Sequence, residues 1–191
     1  MLTDGMVQMV TDRKFCRFNE QAETMTFGMP EPPPGGLCLS AFLIITDQSN
    51  PNSVLMGHLN TKAPWDHIGA LDPSRVEVHS KGWMLPSSHL LVYESPHEAA
   101  RRILREQLET DLQLTGPDVM SETYTPKRFP NLPLHWDIEF VFKGKISADN
   151  IPKPFAWSKL AFVNLNSAKK TEIARSHDDI LQAAGLVFKH P

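Results

Sequence analysis

The stretch from residue 81 to residue 112 constrains the fold of this chain more than any other part of it. Ser95 stands where a helix N-cap is expected, Pro96 follows at the first helical position, and Glu98 lies three residues after the serine. This pattern is a capping box with a proline whose missing N–H costs nothing at a helix start. Apolar residues then recur at three- and four-residue steps as far as Leu108, which predicts a helix with one buried face.

The same stretch resembles the Nudix box, the strand–loop–helix signature of enzymes that cleave nucleoside diphosphates linked to another group. The family pattern is a Gly, five residues, a Glu, seven residues, then Arg-Glu-apolar, any residue, Glu-Glu, any residue, Gly-apolar. With Ser88 at the first Gly, the chain places Glu94, Arg102, Leu104 and Glu106 on matching positions without a gap. Residues 83–86 resemble the entry strand of the family, and residues 94–100 resemble its usual helix start.

The box of this chain, residues 88–110, is degenerate at the positions that bind metal in the family. Active members carry three glutamates at i, i+3 and i+4 of the helix, which hold Mg²⁺ through oxygen ligands. Here Ile103, Glu106 and Gln107 occupy those positions, so two of the three carboxylates are lost. The resemblance implies Glu106 as a metal ligand, Arg102 as the residue that orients it, and Mg²⁺ or Mn²⁺ as the cofactor if the protein is active. The alternative is that Arg102 and Glu106 form an ordinary i,i+4 ion pair on the helix surface.

A second group of acids lies on the strand predicted over residues 134–143. His135, Asp137 and Glu139 alternate with apolar residues, so they share one face of that strand. In a Nudix-like sheet such a strand can deliver an acid to the metal site, which makes Asp137 and Glu139 candidate metal ligands and Glu139 a candidate catalytic residue. The alternative is an acidic outward face that binds nothing.

Three residues are candidates for contacts with a nucleotide-like ligand. Trp65 lies in the long connection over residues 60–80, where its ring is placed to stack on a base or to cover its own core. Arg128 lies in a proline-rich loop and suits a phosphate group, or else is an ordinary solvated cation. Glu94 is the acid of the box loop.

Composition limits the class of protein. A chain of 191 residues with 41% hydrophobic and 21% charged residues and a net charge of −3 predicts a soluble globular protein. No basic stripe suggests a nucleic-acid duplex as partner, and no apolar run is long enough for a bilayer. The absence of a signal-peptide pattern and the two widely spaced cysteines, Cys16 and Cys38, favour free thiols in a reducing, cytoplasmic setting.

The predicted elements run strand, strand, strand, helix, strand, strand, strand, helix. That order favours an α+β (mixed α/β) class, and the resemblance implies a Nudix-like α/β/α sandwich with a mixed β-sheet. The Pro- and Gly-rich run over residues 30–36 predicts a boundary between an N-terminal extension, residues 1–36, and a Nudix-like domain, residues 37–191.

Two functions remain open on the sequence. The first is metal-dependent hydrolysis of a phosphoanhydride in a nucleoside-diphosphate-linked small molecule. The second is a catalytically inactive Nudix-like domain that binds a ligand or a protein. The sequence is also compatible with a homodimer.

Overall fold

The computed structural model describes residues 13–17, 33–124 and 134–188. Within them the chain forms six strands and four α-helices. In chain order these are β1 (Leu37–Asp47), β2 (Ser53–Leu59), α1 (Trp65–Ile68), α2 (Pro73–His79), β3 (Ser87–His89), α3 (Pro96–Gln107), β4 (Thr115–Tyr124), β5 (His135–Ile146), β6 (Trp157–Asn164) and α4 (His177–Ala183). Two short 3₁₀ turns lie at Ala148–Asn150 and Lys170–Glu172.

The strands form one mixed sheet in the order β4-β5-β1-β2-β6. β1 runs parallel to β5, and its other edge is shared by β3 along its first half and by β2 near its end. The remaining pairs are antiparallel. The apolar run of β1 predicts a strand that is buried on both faces, and its central position in the sheet confirms that prediction.

Each face of the sheet is covered by a helix, α3 on one side and α4 on the other. Ala41 and Leu43 of β1 pack toward α3, whereas Phe42 and Ile44 alternate with them and pack toward α4. The two core clusters are thereby separated by the sheet itself. The predicted α/β/α sandwich with a mixed sheet is confirmed.

Helix α3 begins as the sequence predicts. The Ser95 hydroxyl accepts a hydrogen bond from the Glu98 N–H at 3.3 Å, and the Glu98 carboxylate accepts one from the Ser95 N–H at 2.9 Å. Ala99, Ala100 and other residues of the apolar face are fully buried against the sheet. This cap and this face fix where the rest of the box lies.

The connection before the box differs from its prediction. The sequence predicts no helix over residues 60–80 and a short strand at residues 76–79, but the segment contains α1 and α2. The Asp72 side chain accepts a hydrogen bond from the Arg75 N–H, and Pro73 takes the first helical position, so α2 has its own N-cap. Val76 is the buried residue of this helix.

Two further segments depart from the predicted elements. The stretch over residues 167–175 is predicted to be helical but contains only a single 3₁₀ turn. The predicted entry strand at residues 83–85 makes only isolated bridges, Gly57 to Met84 and Trp83 to Ile173, and the paired strand follows at β3. No helix among the described residues has the length and apolar character needed to cross a membrane.

Part of the predicted N-terminal extension lies against the domain. Phe15 pairs with Leu91, and the Cys16 N–H donates to the carbonyl of Leu90 at 2.8 Å. The carbonyl of Cys16 in turn accepts from the N–H of Leu39 at 2.9 Å. Residues 13–17 therefore extend the sheet beside the loop that leads into α3.

Candidate functional site

Two of the three helix positions that bind metal in the Nudix family are buried in this protein. Ile103 is fully buried in the core between α3 and the sheet. Gln107 is also fully buried, and its side-chain amide forms hydrogen bonds with backbone groups. Its oxygen accepts from the Ser87 N–H at 3.2 Å, and its nitrogen donates to the carbonyls of Ile68 and Ser87 at 2.9 and 2.8 Å. Gln107 therefore joins α3 to α1 and β3 instead of facing a ligand.

The box arginine ties the helix to the loop before it. The Nε and Nη2 atoms of Arg102 donate to the two carboxylate oxygens of Glu94 at 2.7 and 2.8 Å. The same guanidinium donates to the Ser88 hydroxyl at 3.2 Å and to the carbonyl of His89 at 2.9 Å. Arg102 is 3% exposed and Glu94 is partly buried, so this bidentate ion pair is largely shielded from solvent and fixes the loop.

The third metal position is paired with a residue from outside the box. Both oxygens of Glu106 accept hydrogen bonds from the Arg13 guanidinium, at 2.7 and 2.9 Å. Arg13 also donates to the carbonyl of His67 at 2.9 Å. Burial alone would raise the pKa of Glu106, but the hydrogen bonds and the charge of Arg13 outweigh it, so the pKa lies below its ordinary value. The segment at residues 13–17 thus places a cation where the family places its metal.

A magnesium ion does not fit the helix in this arrangement. Mg²⁺ needs carboxylate oxygens that are open to it and keeps several waters around it. Among the described residues at the three box positions, Ile103 offers no ligand, Gln107 is saturated by backbone groups, and Glu106 is held by Arg13 on both oxygens.

The opposite face of the sheet contains a polar cavity of about 260 Å³. Side chains from β1, α2, β3, β5 and the start of α4 converge on it. The polar and charged lining residues are Cys38, Ser40, Arg75, His79, His89, His135, Asp137, Glu139, Arg175, Ser176 and His177. A cavity with this many chemically active side chains is the strongest candidate site in the described part of the chain.

The start of α4 is shaped by two residues in the left-handed backbone region. Arg175 and Ser176 both have φ of 56°, a conformation that side-chain-bearing residues seldom adopt. The sharp turn brings Arg175 and His177, which are two residues apart, onto the same cavity. The sequence predicts Ser176 as the N-cap, and it holds that position without a side-chain cap bond.

Burial shifts the protonation of the cavity groups. It raises the pKa of Asp137, and together with the charge of Asp137 it raises the pKa of Glu139 to about 8. Burial, helped by the Arg175 charge, lowers the pKa of His89 and His177 well below the ordinary histidine value. The cavity therefore favours neutral His89 and His177 and a protonated Glu139 near neutral pH.

The predicted site residues fall into separate groups. Glu94, Arg102 and Glu106 all lie at the box on the α3 side, but Arg102 is paired with Glu94 and Glu106 with Arg13, so the predicted contact between Arg102 and Glu106 is not formed. Asp137 and Glu139 share a face, as the sequence predicts, but that face is turned toward α4. The sheet therefore separates Asp137 and Glu139 from α3, although the sequence predicts that they supplement the carboxylates of that helix.

The two candidates from the loops are not part of either group. Trp65 is 2% exposed, packs edge to face against Trp157 and donates its ring N–H to the carbonyl of Asn60 at 3.1 Å, which fits a core tryptophan. Arg128 lies outside the described residues.

Sequence reasoning misses three important residues, one at the box and two in the cavity. Arg13 lies 93 positions from Glu106, and no local pattern connects the two. Cys38 belongs to the apolar run of β1, where it looks like one more core residue. Arg75 belongs to α2, and the local signal for this helix is the N-cap Asp72 followed by Pro73.

No family model and no curated protein matches the chain. Solved structures match it with good coverage. The Nudix domain of NrtR from Shewanella oneidensis, in complex with ADP ribose, has a TM-score of 0.53 at 12% identity, covering 87% of this chain and 94% of its own. A mutT/nudix family protein from Listeria innocua has a TM-score of 0.53 at 20% identity, covering 78% and 91%.

An enzyme has a similar structure as well. The E. coli dihydroneopterin triphosphate pyrophosphohydrolase has a TM-score of 0.51 at 15% identity, covering 75% of this chain and 92% of that protein. The sandwich, the capped box helix and these likenesses agree, and the chain has the Nudix fold.

Proposed function

We propose that this protein is a Nudix-fold domain that binds a nucleoside-diphosphate-linked small molecule and does not hydrolyse it by the metal mechanism of the box. The observation that carries the proposal is the bidentate pair between Arg13 and Glu106. It uses the last carboxylate at the three metal positions, since Ile103 and Gln107 are buried and cannot replace it.

The cavity on the α4 side is the proposed ligand site. Arg75 and Arg175 line it from two different elements, and a guanidinium binds phosphate oxygens in a planar fork. Its volume of about 260 Å³ suits the diphosphate and one attached group, with the rest of the ligand outside. His79, whose pKa is lowered to about 4 by burial and by the Arg175 charge, adds a neutral hydrogen-bonding group.

The comparisons support the class of ligand. The Shewanella oneidensis domain is complexed with ADP ribose, and the E. coli enzyme is a pyrophosphohydrolase of a triphosphate. Both ligands carry a phosphoanhydride linked to an organic group. A domain of the same fold that keeps two arginines in a cavity is suited to the same class of compound.

The test is binding of ADP-ribose and of UDP-glucose, measured by calorimetry in the presence of EDTA. We expect binding by the wild-type protein, weakened at least about tenfold in Arg175→Met, because a hydrogen bond to a charged group is worth roughly 1.5–3 kcal/mol. Arg101→Met is the matched control, since Arg101 is an exposed residue of α3 outside the cavity. It should bind as the wild type does.

Two results would overturn the proposal. If neither compound binds at millimolar concentration, the assigned ligand class is wrong. If Arg175→Met binds like the wild type, the ligand site is not the α4-side cavity.

A further inference from the structure

We propose that Cys38, His135 and Asp137 form a zinc site at the β1–β5 side of the cavity. One ligand atom from each residue, a sulfur, a ring nitrogen and a carboxylate oxygen, lies within 4.8 Å of the other two. His135 Nε2 and Asp137 Oδ1 are 3.8 Å apart. Tetrahedral zinc with bonds of about 2.0–2.3 Å requires ligand atoms about 3.5 Å apart, so small side-chain movements complete the geometry.

The sheet presents these three side chains on a rigid support. Cys38 and Asp137 are neighbours across the parallel β1–β5 pair. His135 lies two residues before Asp137, on the same face of β5. All three are buried, at 9% exposure or less, so their positions are set by the central strands of the fold and not by a loop.

The donor set selects for zinc over magnesium. A thiolate and an imidazole suit a borderline-soft metal, whereas Mg²⁺ and Ca²⁺ require oxygen ligands. Arg75 and Arg175 also line the cavity and oppose any cation held by charge alone. Zinc overcomes that opposition through its bonds to sulfur and nitrogen, and the thiol proton of Cys38 leaves to solvent as the thiolate binds.

A second observation points to a missing ligand in the same place. Oδ1 of Asp137 and Oε2 of Glu139 are buried and accept no hydrogen bond. Both side chains line the cavity, and Glu139 is only 2% exposed. Buried carboxyl oxygens normally have a hydrogen-bond partner or a metal, so an atom that bonds to them is expected. Zinc bound to Asp137 satisfies the first oxygen, and a water in the fourth position of the metal can donate to Glu139.

The experiment uses zinc and cobalt alone, without nucleotide, so its outcome does not depend on the proposed ligand. The reduced, metal-free full-length protein is titrated with Co²⁺ and then with Zn²⁺. We expect one cobalt per chain, a thiolate-to-cobalt charge-transfer band in the near ultraviolet, and loss of that band as zinc displaces cobalt. Zinc should also raise the thermal midpoint of the protein, because it binds only the folded state.

Isosteric variants assign the ligands. Cys38→Ser should abolish the charge-transfer band, and Asp137→Asn should weaken zinc binding by more than about 100-fold, since even substitutions beside a metal ligand cost about 10–100-fold. Cys16→Ser is the matched control, because Cys16 is the other cysteine of the chain and lies outside the group. It should keep the band and the affinity.

Three results would overturn the inference. One is a wild-type protein that shows no charge-transfer band at one equivalent of cobalt. Another is a folded Cys38→Ser variant that keeps the band. The third is loss of the band in Cys16→Ser, which would place the thiolate elsewhere. Asp137→Asn provides the ligand test if Cys38→Ser does not fold.

Discussion

Replacing Ile103 with glutamate restores a carboxylate at a metal position of the family pattern but should destabilise the protein, because this position is in the core. The isoleucine side chain is packed in the core and has 0% exposure to solvent. Losing its burial costs about 1.5–3 kcal/mol. A carboxyl group left there without a partner costs about 1–3 kcal/mol more by the measure of protein variants. The expected loss is therefore about 3–6 kcal/mol, a large part of a typical stability of about 5–15 kcal/mol.

The assay is urea unfolding followed by circular dichroism at neutral pH. With a slope of about 2 kcal/mol per molar urea, the midpoint should fall by about 1.5–3 M. Ile103→Val is the packing control, expected to lose only about 0.5–1.5 kcal/mol. Arg101→Glu adds a glutamate at an exposed site of the same helix and should change stability by less than about 0.5 kcal/mol.

A clear result would refute this reasoning. If Ile103→Glu loses less than about 1 kcal/mol and magnesium raises its midpoint, then position 103 faces a metal site and the core assignment of α3 is wrong.

The remaining predictions concern the ion pairs and one buried histidine. Arg13→Ala should cost about 1–3 kcal/mol at neutral pH, because it strands a partly buried charge on Glu106. Since the pKa of Glu106 is lowered in the folded state, this loss should fade as the pH falls below the ordinary value of 4.5. Arg102→Met should cost about 2–4 kcal/mol, because it leaves the partly buried carboxylate of Glu94 without its cation. The wild type should lose stability as the pH falls below 6.5, because burial lowers the pKa of His177 in the folded state. One such histidine changes the free energy of unfolding by up to about 1.4 kcal/mol per pH unit. His177→Asn keeps an acceptor for the backbone N–H of Leu85 and should make this pH dependence smaller.

All of these effects are read from urea midpoints, and each has a contradicting result. An Arg13→Ala loss that is equally large at acid pH would show that packing, not charge, supports the segment. Unchanged stability in Arg102→Met would mean that the loop does not depend on this pair. An unchanged pH slope in His177→Asn would assign the titration to the other buried histidines.

Local patterns predict the elements that carry their own signals. The capping box at Ser95 and the apolar run of β1 need no distant information, and both are where the sequence places them. α2 escapes the prediction although Asp72 and Pro73 carry an equally local helix start. Val76 and Val78 alternate with polar residues, which suits a strand as well as a short helix, and the capping pattern is what separates the two.

The candidate site is harder to predict because its contacts span the chain. The sequence shows that Ile103 and Gln107 are not acids, but it does not show that both are buried. It shows Asp137 and Glu139 on one face of β5, but not which helix covers that face. The pairing of Arg13 with Glu106 depends on how residues 13–17 dock beside β3, and no spacing rule relates positions so far apart.

The loss of metal-dependent catalysis at the box is tested most directly by hydrolysis of ADP-ribose, measured as phosphate released after phosphatase treatment. The reaction is run with Mg²⁺, with Mn²⁺ and with EDTA, for the wild type and for Glu106→Gln. Because Arg13 holds Glu106 on both oxygens, we predict no metal-dependent turnover in either protein. Turnover that requires the metal and disappears in Glu106→Gln would contradict the account, since it would show that the box still binds its ion and that Arg13 gives way to it.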